Sequence, residues 1–458
     1  MNVKMEIRKF FNIVLNKKSN DHKKMITFLG GLMIYFCYGG LTIWGYINVY
    51  IASYFHSFDP DFNLKNGNVT LTLFLTPLCF TSIFSIQLAE KIGFRNQIRA
   101  CTLLFSFSVI VSSYQTNYFI FVLFYGCFAS IAAGLTVTPV IYILWGYFPN
   151  IKGRISGYMF GMFGLSSMIL VPIISYLVNP NNFKAERIDG KVWFSIEVYE
   201  KVPDMLFKLG LFYFAWTLIG ASLIQEPEKK KFEMNLEQPE SLGLNHAKRL
   251  PDEENPLDEE QKRFICPTLK KGLLSTPFVI VFMNSFFLAL YSFYLHINFK
   301  SYGLNKINDD HFITIVGFLN GVGALTGRII FGHILDKTTF KKLFLLLEII
   351  LAFLSVTFPL VSNYSYSYVL WIFALASVDG GIMCIIGPGL IRIFGFEIGS
   401  KLYPIKQTSF YMSMIIVPLA QLMLMNYIGV DQIFFLFATG NVLSVVMAFF
   451  LKEQYEWI

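Results

Sequence analysis

Charge is what this chain has least of. Only 15% of its 458 residues are Asp, Glu, Lys or Arg, against about 25% in a soluble protein. The shortage is concentrated in blocks of about twenty residues rich in Phe, Ile and Leu, the length needed to cross ~30 Å of hydrocarbon as a helix. An ordinary soluble enzyme is excluded. Cysteine is sparse as well. Of six cysteines, only Cys266 lies outside the apolar segments, and none forms a C-x-x-C pair. Neither a disulfide framework nor a zinc site is expected. No Walker loop, H-E-x-x-H or G-x-S-x-G motif occurs, so no enzyme chemistry, cofactor or metal is expected. No cleavable secretory signal is expected either, because the first apolar block begins near Met25 and is too long for an h-region.

What is present is a regular series of apolar spans. Six run over about 25–54, 70–89, 98–116, 119–148, 155–178 and 205–224, and six more over about 275–299, 311–334, 342–362, 367–393, 403–428 and 432–451. They predict an all-α membrane protein with twelve transmembrane helices in two pseudo-symmetric six-helix bundles. The expected organisation is a basic N-terminal tail over 1–24, an N-terminal bundle over 25–224, a cytosolic linker over 225–274, a C-terminal bundle over 275–452 and a short tail over 453–458. The polar part of the linker, Gln225 to Lys271, mixes charges with prolines such as Pro227, Pro239, Pro251 and Pro256 and has little to bury.

The formal net charge is +7, but the basic residues are scattered along membrane flanks. This argues against nucleic acid and for a topological signal. Lys91, Arg95, Arg99, Lys152, Arg154, Lys337, Lys341 and Lys342 fall on one side with the linker. Both termini are therefore expected in the cytosol. Asn68 and Asn363 begin glycosylation acceptor triplets on the opposite side. The basic, acid-poor tail fits a cytosolic anchor, and it also keeps a mitochondrial or other organelle membrane open beside the favoured plasma membrane.

Two deep charges stand out. Arg328 lies within the apolar run Phe312 to Ile334, with Asn320 and the glycines Gly317, Gly321, Gly323 and Gly327. A guanidinium does not lose its proton and is costly in hydrocarbon, so it faces protein, water or an anion. Asp379 sits some eleven residues into its span, ~16 Å along a helix and near the midplane. It is a candidate proton-coupling site, or a partner for Arg328. Tyr35, Tyr38, Tyr142, Trp145 and Gln407 are candidate lining residues. Glu348, six residues beyond Lys342, is expected at the membrane interface. The glycines Gly317, Gly321, Gly323 and Gly327 read as helix-packing positions.

The loop after span eight, Gly332-His-Ile-Leu-Asp336-Lys337, recurs after span two as Glu90-Lys91-Ile-Gly93-Phe-Arg95. This pair resembles the repeated loop signature of the major facilitator superfamily, although Ile86 and Glu90 replace the glycine and aspartate of the first copy. The stretch Trp145-Gly-Tyr-Phe148-Pro149-Asn-Ile-Lys152-Gly153-Arg154 and the segment Gly327-Arg328-x-x-x-Gly332-x-x-x-Asp336-Lys337 are similar to the oxalate:formate antiporter and monocarboxylate porter branch. The resemblance implies the major facilitator fold, with Glu90, Lys91, Arg95, Asp336 and Lys337 as gating-loop residues and Arg328 as the cation that holds a substrate carboxylate. The second cation of the oxalate antiporters aligns with Phe410, and Lys406 lies one turn earlier. One deep cation suits a monocarboxylate. The implied activity is secondary transport of a small organic anion by alternating access, through a monomer in the bilayer, with protons as the candidate coupling ion. The alternative is a non-transporting membrane scaffold or sensor that docks partners through the linker.

Overall fold

The computed structural model describes residues 19–59, 65–181, 183, 186–188, 191–226, 266–307, 310–424, 427–453 and 457. Most of the basic tail and of the 225–274 linker, and part of the last six residues, lie outside them.

Each expected span is a helix among the described residues. Span one is α1 (Ser19–Gly39), a 3-10 turn (Gly40–Ile43) and α2 (Trp44–His56). Then follow α3 (Lys65–Ile92) and α4 (Phe94–Ser112). Span four combines α5 (Tyr118–Phe121), a π turn (Val122–Phe128) and α6 (Ala129–Tyr147). Helix α7 (Lys152–Val178) is span five. Between it and span six lie β1 (Glu186–Ile188), β2 (Lys191–Trp193) and the short α8 (Ile196–Tyr199); span six is α9 (Val202–Leu223). The later spans are α11 (Thr276–Ile307), α12 (Asp310–Leu335), α13 (Phe340–Val361), α14 (Ser365–Phe394), α15 (Phe396–Leu424) and α16 (Val430–Phe449), preceded by the short α10 (Leu269–Leu273). Helix satisfies every backbone group internally, which hydrocarbon demands. Eight of these helical segments are long and apolar enough to cross a membrane by themselves. The antiparallel β1–β2 pair, Arg187 opposite Val192, is the exception to helix and lies in the loop between spans five and six.

Contacts divide the chain into two compact units. One is Met1–Pro149 with Leu170–Phe232; the other is Asn150–Ile169 with Glu233–Ile458. The first part of α7 thus belongs with the second unit.

The two units repeat one packing scheme. In the first, α3 packs on α6, α4 on α9 and on α6, and α1 on α9. In the second, α12 packs on α14, α13 on α16 and on α14, and α11 on α16. The repetition extends to caps. Glu226, just past α9, accepts the backbone N–H of Arg95 at the start of α4 (2.8 Å). Glu453, just past α16, accepts those of Phe340 and Lys341 at the start of α13 (3.0 and 3.2 Å). Each carboxylate meets orphan donors at the positive end of a helix. Single-residue turns at Gly93 (φ 89°) and Gly395 (φ 79°) join α3 to α4 and α14 to α15 in the left-handed region that favours glycine.

Candidate functional site

Three deep charges of the second unit come from three helices, α12, α14 and α15. Arg328 is half-buried on α12. Its Nη1 donates to the Phe160 carbonyl on α7 at 3.0 Å, while its buried Nε–H has no partner. Small residues make this placement possible. A Cβ on Gly164 would lie 3.7 Å from Arg328 Nη1, and one on Gly157 would lie 2.5 Å from the Arg328 carbonyl. Helix α12 is pressed equally close to α14: a Cβ on Gly327 would lie 2.0 Å from the Ser377 carbonyl. These are the close approaches that the glycines implied.

Asp379 on α14 is half-buried and accepts a hydrogen bond from Ser292 Oγ on α11 at 3.1 Å. It makes no ion pair with Arg328 among the described residues, yet the charges of Arg328 and Lys406 both act on it. Lys406 on α15 is fully buried, and its Nζ donates to Gln407 Oε1 at 3.3 Å. Gln407 Nε2 in turn donates to the Tyr403 hydroxyl at 3.0 Å. The Tyr403 ring stands 6.5 Å from that of Phe160, whose carbonyl holds Arg328. Two cations and one carboxylate therefore share this region, a formal sum of +1. Asn320 is half-buried on α12, about two turns before Arg328.

The gating-loop candidates separate. Asp336 is nearly buried, with 3% of its side chain exposed. It accepts the backbone N–H groups of Gly153 (2.8 Å) and Arg154 (3.0 Å) and pairs with Arg154 Nε (3.0 Å). It thus caps the first turn of α7 within the second unit. Burial pushes the Asp336 carboxyl up, against the pull of these donors in the other direction. Lys337 is exposed, as are Glu90 and Lys91. In the first copy of the loop the cap comes from Glu226, not Glu90.

The aromatic candidates lie in the first unit, buried. Tyr35 Oη donates to the Val137 carbonyl at 2.8 Å, and Tyr38 Oη to Thr136 Oγ1 at 3.0 Å; both tie α1 to α6. Tyr142 stacks on Phe94 with centroids 5.1 Å apart, and Trp145 is fully enclosed. Ser292 is the member of the Asp379 group that sequence alone did not single out, since a serine in an apolar helix carries no signal of its partner. Glu348, expected at the membrane interface, is fully buried within α13. Its distance from Lys342 measured depth, while its face on the helix decided burial.

Comparison with known proteins bears on this arrangement. The family model described as Major Facilitator Superfamily matches residues 27–394. No curated protein matches in sequence. Among solved structures, the chain is similar to the major facilitator proton:xylose symporter XylE bound to 6-bromo-6-deoxy-D-glucose, with a TM-score of 0.63 at 15% identity, over 94% of this chain and 95% of that one. That likeness shows the fold. The protein is an integral multi-pass membrane protein and belongs to the major facilitator superfamily, a family of secondary transporters.

Proposed function

We propose that the protein is a secondary transporter of a small monocarboxylate, with Arg328 as the group that holds the carboxylate. The observation that carries this reading is the state of the guanidinium. One N–H is occupied by a backbone carbonyl, the buried Nε–H is unpartnered, and no carboxylate pairs with it among the described residues. A cation whose N–H groups are incompletely satisfied in a low-dielectric interior is costly. An entering carboxylate offsets that cost with charge-assisted hydrogen bonds.

The charge sum supports one negative charge in the substrate. While Asp379 is ionised, Arg328 and Lys406 contribute two positive charges and Asp379 one negative, so a monocarboxylate leaves the group neutral. Gln407, bonded to Lys406, supplies an amide beside it, and Asn320 offers another about two turns before Arg328 on α12. Asp379, which accepts a hydrogen bond from Ser292, is the proposed proton carrier. Transport requires that substrate and proton bias the inward- and outward-open states differently, since equal affinity for both shifts nothing. The basic flanks argue for cytosolic termini.

The experiment is uptake into proteoliposomes holding the purified protein. Labelled acetate, lactate, oxalate, succinate and xylose are offered at two external pH values. The proposal expects saturable uptake of a monocarboxylate, faster with an inward proton gradient. Uptake of xylose with no uptake of any carboxylate would overturn it.

A further inference from the structure

Glu348 belongs to a polar group remote from any role given above. Glu348 on α13, Asn284 on α11, and Asn441 and Ser444 on α16 are all fully buried in the second unit. Among the described residues, six of their side-chain atoms have no hydrogen-bond partner: Glu348 Oε1 and Oε2, Asn284 Oδ1, Asn441 Oδ1 and Nδ2, and Ser444 Oγ. Buried polar atoms in native proteins are almost always satisfied, and an unsatisfied one calls for an explanation such as a bound water or ion.

Three sets of hydrogen bonds place these residues at one level. Helices α13 and α16 are antiparallel. Phe340 and Lys341 meet Glu453 at one end, and Tyr302 bridges Ser362 and Asp431 at the other. Counting inwards from both ends sets Glu348 beside Ser444, with Asn441 within about one turn. Helix α11 joins at the same height, because Asn284 Nδ2 donates to the Ser444 carbonyl at 3.2 Å. A third bond agrees. Tyr291 Oη donates to the Ser355 carbonyl at 3.1 Å, and Asn284 and Glu348 each lie seven residues, about two turns, before those residues on the same faces of α11 and α13.

We propose that Glu348, Asn284, Asn441 and Ser444 bind a small monovalent cation of Na+ size that ties α11, α13 and α16 together. The donor set is oxygen, which suits a hard cation. One carboxylate balances one positive charge, and no charged side chain among the described residues acts on Glu348. A cation of this size stands about 2.3–2.6 Å from each oxygen. It therefore holds its ligands around itself instead of letting them bond to one another, as these atoms fail to do. A water molecule satisfies hydrogen bonds but leaves the buried carboxylate uncompensated. The site is sealed, so the cation acts on stability. The inference does not depend on what the carrier moves.

The test is thermal unfolding of the purified full-length protein in detergent. NaCl is titrated against choline chloride at constant ionic strength and fixed pH. Binding to the folded state alone raises Tm with ligand concentration. The expected result is a saturable rise of several degrees with Na+ and none with choline. The rise is lost in Glu348→Gln, and its midpoint moves at least about tenfold higher in Ser444→Ala, about 1.4 kcal/mol. Should Glu348→Gln fail to fold, the Ser444→Ala midpoint carries the test. The proposal is overturned if Na+ leaves Tm unchanged, if the variants respond as the native protein does, or if Tm follows pH alone, as a buried carboxylic acid would.

Discussion

Ser292 Oγ donates to Asp379 at 3.1 Å, and Asp379 forms no ion pair with Arg328 although the two charges act on each other. The arrangement separates two tasks that a closed Arg–Asp pair would merge. The guanidinium keeps its charge for an anion, and the carboxylate keeps an oxygen for a proton. A mutually satisfied pair would have neutralised both.

The first prediction concerns Asp379. Asparagine keeps an oxygen to accept from Ser292 but does not take up and release a proton. Asp379→Asn is expected to flatten the pH dependence of carboxylate uptake while substrate binding persists. Initial rates between pH 5.5 and 8, with binding measured separately, check this. An unchanged pH profile makes Asp379 structural.

Lys406 sets the charge of the site. Replacing it with methionine preserves the apolar stem and lowers the formal sum from +1 to zero. Affinity for a monocarboxylate is expected to fall on the order of tenfold, about 1.4 kcal/mol, with uptake of a given substrate otherwise intact. The KM of uptake is the measurement.

Gly327 tests the packing that positions Arg328. A Cβ there would lie 2.0 Å from the Ser377 carbonyl, which is backbone and has little freedom to yield. Overpacking of this kind costs about 1–3 kcal/mol. Gly327→Ala is expected to lower Tm and transport together. Gly321→Ala, whose Cβ would meet only Met168 Cγ at 3.9 Å, is expected to be mild in both.

The helices were legible in the sequence because hydrocarbon forces apolar blocks of fixed length, and all the expected spans return as helices, although some ends run beyond the apolar block, as α11 does to Ile307 and α15 back to Phe396. Arg328 and Asp379 were legible for the same reason in reverse, as charges where charge is costly. Partners were not. The cap on Arg95 comes from Glu226, 131 positions away, while the acid next to that loop, Glu90, is exposed. Tyr35 and Tyr38 stood out by type, but the bonds of their hydroxyls to α6 were not legible in the sequence. Glu348 looked interfacial by its distance from Lys342; its neighbours on α11 and α16 are set by tertiary register, which no local pattern encodes.

Carboxylate uptake by Arg328→Ala in proteoliposomes, with the amount of protein in the membrane measured alongside, tests the account most directly. The account predicts that uptake of the monocarboxylate is lost while the protein inserts at its usual level, and that Arg328→Lys recovers only part, since an ammonium lacks the planar fork of the guanidinium. Uptake by Arg328→Ala at the native rate would contradict it.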